Sequence, residues 1–334
     1  MKIAIDGGAL CTKKTNRYGN YTFSQNCIQA LSYYNKQNNY SVYSFCHRPD
    51  WFPKNIDFQR LFPKQLWMSF RIPLEQSLKP KKIFLAFNQA VPYIGKTKII
   101  SISHGLSFCF FPHLYPDSYK KMLRQIKLIF KKSAWIIVSS GRVKKEFNQL
   151  FPWYKKIVVN PFGIPFDMIE TKKQPRKKYF MFVGMNHPIK NVDFIVRVFE
   201  EFIKEKKYSQ YKLKLIGDFK KYANYKNVQS LTITNRKKLK QLYQRATGYL
   251  APSFYESFNL PVLEALSQNC PAVGLESAII PEVRQYVQMA DSFNTFIRQM
   301  KIIADKQSPV ISLSQLKKTF SWKKYVKKLT LLYD

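Results

Sequence analysis

Short apolar runs that close on a polar residue or a glycine recur along this chain, and amphipathic stretches separate many of them. Strands that are apolar throughout are strands buried on both faces, as in a parallel sheet covered by helices. The first half offers MKIAID (1–6), SVYSFC (41–46), KIFLAF (82–87), KIISIS (98–103), AWIIVSS (134–140) and KIVVNPFG (156–163). Helical spacing falls over 21–34, 118–132 and 141–150. A segment rich in proline and aromatic residues, 51–80, shows neither period. Residues 164–178 are polar and basic with prolines at 165 and 175, the best linker in the chain. The pattern then restarts with YFMFVG (179–184), YKLKLIG (211–217), NVQSLTIT (227–234), GYLAPS (248–253) and PAVGLE (271–276), with helices over 191–206 and 236–245. An α/β fold of two Rossmann-like domains with a cleft between them follows. The segment 321–333 reads as a closing amphipathic helix.

Within the second half, PSFYESFNLPVLEAL (252–266) places Glu256 and Glu264 eight positions apart across a loop and a helix start. Asn259 is suited to cap that helix and Pro261 to its first turn. A helix start presents backbone N–H groups and partial positive charge, a natural seat for phosphate. A carboxylate on each side can hold the hydroxyls of a nucleotide sugar. Read alone, the same residues also fit a solvated surface loop.

The net charge is +36, which invites an anionic partner: nucleic acid, an anionic membrane surface or a phosphorylated substrate. The lysines come as scattered pairs rather than one long run, and no recognition-helix or aromatic–basic RNA pattern accompanies them, so nucleic acid is not expected. Cys11, Cys27, Cys46, Cys109 and Cys270 are odd in number and widely spaced, which fits a reducing compartment and no zinc site. Asp6 interrupts any signal-peptide core, and no apolar run is long enough to span a bilayer. The expectation is a cytoplasmic protein, at most peripheral on the inner face of a membrane. Asp6 and Asp291 are isolated, so no metal site is expected.

Several stretches, in order, resemble the family-four, or group 1, retaining glycosyltransferases of GT-B architecture. They are YFMFVGMNHPIKN (179–191), KLKLIG, PSFYESFNLPVLEAL and NCPAVGLESAIIPEV (269–283), supported earlier by MKIAID, SISHGLSFCFFPHLYP (101–116) and IVVNPFGI (157–164). The resemblance implies an acceptor-binding domain over 1–165 and a nucleotide-sugar-binding domain over 166–318. It also implies a helix over 319–334 that crosses back to the first domain, the two domains facing each other across a cleft. It carries Glu256 to the donor sugar, Glu264 to the ribose, Lys190 to the diphosphate, and the loop at Ser257, Phe258, Asn259 and Leu260 to the phosphates. Gly184 ends the first strand of the donor domain. On the acceptor side it carries over Gly8, Gly19 and His104, the last near the reacting centre.

The chain departs from the family's pattern in places. Ser257 and Asn259 stand where glycines are usual, Gly105 where an aspartate follows the histidine, and Arg17 at a usual glycine. Met185 and Ile189 stand where an arginine commonly assists the lysine; His187 or a nearby lysine is the candidate substitute. The activity implied is transfer of a hexose from a nucleotide-sugar donor to a saccharide or lipid-linked saccharide, with retention and without metal or cofactor. The alternative is a weakened binding or scaffold protein that keeps the fold.

Overall fold

The computed structural model describes every residue except Tyr18, Ile94, Lys96, 170–173 and 307–311. Its chain divides into two compact units, one made of 1–13, 17–163 and 321–334, the other of 14–16 and 164–320. Part of the segment read as a linker, 170–173, lies outside the described residues.

In the first unit the strands are β1 (Lys2–Asp6), β2 (Asn39–Ser44), β3 (Asp57–Arg60), β4 (Ile83–Ala86), β5 (Lys98–Ser103), β6 (Ser133–Val138) and β7 (Ile157–Val159). They lie side by side in the order β3-β2-β1-β4-β5-β6-β7, parallel throughout. Helices α1 (Gly19–Tyr34), α2 (Ile72–Leu78), α3 (Ser107–Phe110), α4 (Tyr119–Lys132) and α5 (Gly141–Leu150) accompany them. Helix α1 starts two residues before the expected position, at Gly19. The unreadable stretch 51–80 holds β3 and α2. Strand β3 reads Asp-Phe-Gln-Arg and lies at the sheet edge, where no apolar run is needed. Helix α4 turns Ile126, Ile129 and Phe130 into the core and leaves Lys120, Lys121, Arg124, Lys127 and Lys131 exposed.

The second unit holds β8 (Lys177–Val183), β9 (Lys212–Ile216), β10 (Val228–Leu231), β11 (Ala246–Ala251), β12 (Ala272–Leu275) and β13 (Gln288–Ala290), in the order β10-β9-β8-β11-β12-β13 and again parallel. Its helices are α6 (Val192–Phe202), α7 (Arg236–Arg245), α8 (Leu260–Ser267), α9 (Phe293–Ala304) and α10 (Leu313–Thr319). The strand read over 227–234 is shorter, and helix 191–206 ends at Phe202.

The last helix, α11 (Trp322–Thr330), belongs to the first unit and packs on α1. Phe23 meets the rings of Trp322 and Tyr325 at 6.1 and 5.9 Å. Asn160 donates from Nδ2 to the Tyr325 carbonyl at 3.1 Å. A side chain at Gly163 would strike Trp322, so the turn there requires glycine.

Counted from its own first strand, each sheet begins 3-2-1-4-5-6. In such a sheet the connections leave in opposite directions from the two central strands, and their carboxyl ends open a crevice that binds ligands. The reversal falls between β1 and β4 in one unit and between β8 and β11 in the other.

Candidate functional site

In the second unit, the ends of β8 and β11 carry the residues singled out from sequence. Strand β8 runs out into Gly184, whose N–H donates to the Ile216 carbonyl at 3.1 Å, and then into a short 3₁₀ turn, Pro188–Lys190. Strand β11 runs out into Pro252, Ser253 and the loop to α8. The two exits are laced together: Phe254 N–H donates to the Ile189 carbonyl at 2.9 Å and Asn191 Nδ2 to the Pro252 carbonyl at 3.1 Å.

That lacing brings Lys190 Nζ to 2.7 Å from Glu256 Oε1, with both side chains mostly buried. Ser253 Oγ donates to the same oxygen at 2.8 Å. Among the described residues no donor reaches Oε2 of Glu256. The pair therefore presents an acceptor oxygen and an ammonium beside one another, the combination that a sugar hydroxyl and a diphosphate require.

Helix α8 begins as its sequence suggests. Asn259 caps it, accepting the Val262 N–H at 3.3 Å through Oδ1, and Pro261 lies in the first turn. Asn259 has φ +61°, the left-handed conformation that glycine adopts freely and asparagine tolerates better than most residues. This accounts for asparagine at a position where glycine is usual. Its Nδ2 also donates to the Ala278 carbonyl at 3.1 Å, which ties the cap to the loop after β12. Leu260 opens the helix and is buried, as is Phe258; Ser257 is half-buried.

Glu264 lies one turn further on, with its side chain only 4% exposed. Arg236 Nη2 donates to its Oε1 at 2.7 Å and Tyr243 OH to its Oε2 at 3.1 Å. Arg236 also grips Asp167 through Nε at 2.6 Å and Nη2 at 3.1 Å. The sequence reading passed over Arg236, Tyr243, Asp167 and Ser253. Arg236 and Tyr243 stand seven apart on α7, hence on one face; that spacing was visible, but what the face meets is not written locally. Of the two positions where a second cation is usual, Ile189 is buried and Met185 exposed. His187 uses Nδ1 to accept the Ile189 N–H at 3.2 Å and caps the 3₁₀ turn.

In the first unit, the ends of β1 and β4 carry Asp6, Gly8 and Asn88. Asp6 is buried, and its Oδ1 accepts the Gly8 N–H at 2.9 Å and Trp67 Nε1 at 3.2 Å. Asn88 Nδ2 donates to Oδ2 at 2.7 Å and so bridges the two strands. Burial pushes the carboxyl of Asp6 above the usual range, while the three donors pull it back. His104 follows β5. Its Nε2 lies 2.7 Å from the Phe87 carbonyl oxygen and its N–H donates to Gln89 Oε1 at 2.9 Å. A carbonyl only accepts, so the ring proton sits on Nε2. Burial lowers the pKa of His104 and favours the neutral ring. Phe23 packs edge-on to it at 5.5 Å. Gly105, with φ +101°, makes the turn that follows. Gly19, the first residue of α1, is exposed.

Among the described residues no group of three or more histidine, cysteine, aspartate or glutamate side chains is arranged to hold a metal ion. No helix of those residues is long and apolar enough to cross a membrane.

Residues 177–304 match the family model described as glycosyl transferases group 1. The O-antigen chain mannosyltransferase RfbU of Salmonella typhimurium is 23% identical over 239 residues, covering 65% of this chain and 62% of that protein. The chain thus spans a little under two thirds of that curated relative's length. Among solved structures, sucrose-phosphate synthase from Thermosynechococcus elongatus aligns with a TM-score of 0.77 at 14% identity, over 99% of this chain and 98% of that one. Anabaena HepE in complex with UDP and glucose aligns with a TM-score of 0.71 at 13% identity, over 99% and 98%. WaaG, a glycosyltransferase involved in lipopolysaccharide biosynthesis, gives 0.69 at 14% identity, over 99% and 96%. The fold is the two-domain GT-B fold of these glycosyltransferases.

Proposed function

We propose that the chain transfers a hexose from a nucleotide-sugar donor to a saccharide or lipid-linked saccharide, a reading supported by the match of residues 177–304 to the group 1 glycosyl transferases. The observation that carries the reading is the Lys190–Glu256 pair at the strand exits, followed directly by the capped start of α8. Cleaving a sugar–phosphate bond leaves new negative charge on the departing diphosphate. A site accelerates that step by holding positive potential in place beforehand. Lys190 and the α8 start supply it, which is why we propose that no metal is needed. The free oxygen of Glu256 orients the donor sugar through a hydroxyl, and Glu264 accepts from the ribose. We propose transfer on one face of the sugar, with retention; the departing phosphate takes the acceptor's proton as the new C–O bond forms. The role proposed for His104 follows from its match to the family's histidine; as a neutral ring with its proton on Nε2, it has Nδ1 to accept a hydroxyl.

For the acceptor we propose a substrate at an anionic membrane surface, met from the cytoplasmic side. The support is the outer face of α4, where Lys120, Arg124, Lys127 and Lys131 form one exposed basic stripe.

The test is to incubate the full chain with a panel of nucleotide sugars and acceptors, with and without EDTA. Nucleoside diphosphate release is followed, and the product anomer is assigned by NMR. The expected result is EDTA-insensitive release with one donor and a product of the donor's own anomeric configuration. No release and no thermal shift with any donor would overturn the reading. An inverted product would overturn retention, and loss of turnover in EDTA would overturn metal independence.

A further inference from the structure

Arg236 occupies an odd place. It opens α7, and the first turn, Arg236, Lys237 and Lys238, contains no acidic residue. Cations at a helix start are repelled by the helix dipole, so this arrangement costs the helix stability. Its reward is not a strong surface ion pair either. The side chains of Arg236 and Asp167 are both more than a third exposed, and such pairs contribute little. The partner that matters is Glu264, a carboxylate almost without solvent contact, held at both oxygens by Arg236 and Tyr243. An apolar pair would fill the same space at lower cost, because buried ion pairs seldom repay their desolvation. What the arrangement does give is orientation. With one donor on each oxygen, the carboxylate plane is fixed and its remaining lone pairs have a fixed direction. That is what recognition of a vicinal diol demands, since two hydroxyls must find two acceptors at set spacing.

We infer that Arg236 is the positioning residue for Glu264, and that through it the site prefers ribonucleoside diphosphates over their 2′-deoxy counterparts. This inference rests on the donor reading above. Asp167 accepts from Nε and Nη2 of the same guanidinium, a second contact that helps fix its orientation. Tyr243, buried two turns along the same helix, supplies the second point of attachment.

The experiment is calorimetric titration of the full chain with UDP, GDP, ADP and CDP, each beside its 2′-deoxy form. The wild-type chain is expected to bind one ribonucleotide about tenfold or more tighter than its deoxy form, the size of one hydrogen bond to a charged group. Arg236→Gln should bring the two within about twofold of each other. Arg236→Lys, which keeps the cation but not the fork, should keep part of the discrimination; it decides the matter if the glutamine variant does not fold. A merely structural role would weaken both nucleotides alike and leave their ratio unchanged. An unchanged ratio in either variant, or equal binding of the two forms by the wild-type chain, overturns the inference while nucleotide binding itself still supports the donor reading. Binding of no nucleoside diphosphate sinks the donor reading, and the inference with it.

Discussion

The two sheets share one strand order, yet their reversal points are finished in opposite ways. Between β8 and β11 an ammonium and a carboxylate meet, and one carboxylate oxygen has no donor among the described residues. Between β1 and β4 a single carboxylate, Asp6, is buried and its two oxygens are taken by three neutral donors. The same crevice thus becomes a charged, unsaturated site in one unit and a self-satisfied polar knot in the other. A donor that leaves as a diphosphate needs fixed charge, and the second unit has it. The first unit uses the buried carboxylate at its reversal point to hold Gly8, Trp67 and Asn88 in place.

The sharpest way to break this contrast is to remove the charge from the second unit. Lys190→Ala or Glu256→Ala should lower transfer by about a thousandfold or more, as expected for lost preorganised electrostatics. Circular dichroism should keep the wild-type form, while melting should fall modestly, because each change leaves the partner's mostly buried charge unpaired. A variant of Lys190 with full turnover would end its assignment to the diphosphate.

The next effect is on stability, and it belongs to the first unit. Asp6→Ala strands three donors and should cost that unit about 3 kcal/mol, read from denaturant or thermal unfolding. Asp6→Asn should be milder, about 1 kcal/mol, because Asn88 can turn its amide and offer its oxygen to the new one. The pH dependence separates the two reversal points further. Burial raises the folded-state pKa of Asp6, so the folded chain binds this proton more tightly than the unfolded chain. Stability from this group is greatest below the unfolded carboxylate pKa and is lost as pH rises through the raised folded value. Wild type minus Asp6→Asn should therefore lose stability with rising pH over that window. A difference that grows more favourable with pH would contradict the burial argument.

How far the sequence discloses this contrast depends on how local each feature is. Strands buried on both faces announce themselves as apolar runs, so the cores of both sheets were readable, and the cap at Asn259 was readable from Asn-Leu-Pro. Strand β3 was not, since an edge strand of four residues has no buried second face to mark it. Neither were β13, α9 and α10, which follow the last of the motifs read from the sequence. The partners of Glu264 were hidden for another reason. Arg236 and Asp167 stand 69 positions apart, and Tyr243 stands 21 before Glu264. Only the closed sheet brings them together. Asp6 was visible as a strand end but not as a buried, triply bonded anchor, because Trp67 and Asn88 come from 61 and 82 positions away.

A smaller effect tests how tightly the second reversal point is built. Gly217 ends β9 with φ +148°, and a Cβ there would run into the Gly184 carbonyl at the end of β8. Gly217→Ala should cost about 1–3 kcal/mol through strain, and should weaken nucleotide binding if the β8 exit shifts with it. Unchanged melting would show that the two strand ends can separate without cost.

The smallest effect leaves stability aside and asks where the first unit keeps a group near ionisation. Cys11 ends the 3₁₀ turn after β1, and Cys46 lies two residues past β2. Ser44 Oγ lies 3.1 Å from the sulfur of the first and 3.2 Å from that of the second. The hydrogen bond from Cys11, with help from Ser44 and Arg17, lowers the Cys46 thiol to about 6 against its partial burial. The same contact raises Cys11. Cys109, by contrast, is pushed up to about 11 by burial and the Glu146 charge. Iodoacetamide should therefore label Cys46 with a midpoint near pH 6, while Cys109 stays nearly inert at neutral pH. Cys11→Ala removes the leading cause and should move the Cys46 midpoint upward. A midpoint at the ordinary thiol value, indifferent to Cys11, would mean that the first unit's strand ends hold no group poised for charge, and would make the contrast with Lys190 and Glu256 complete.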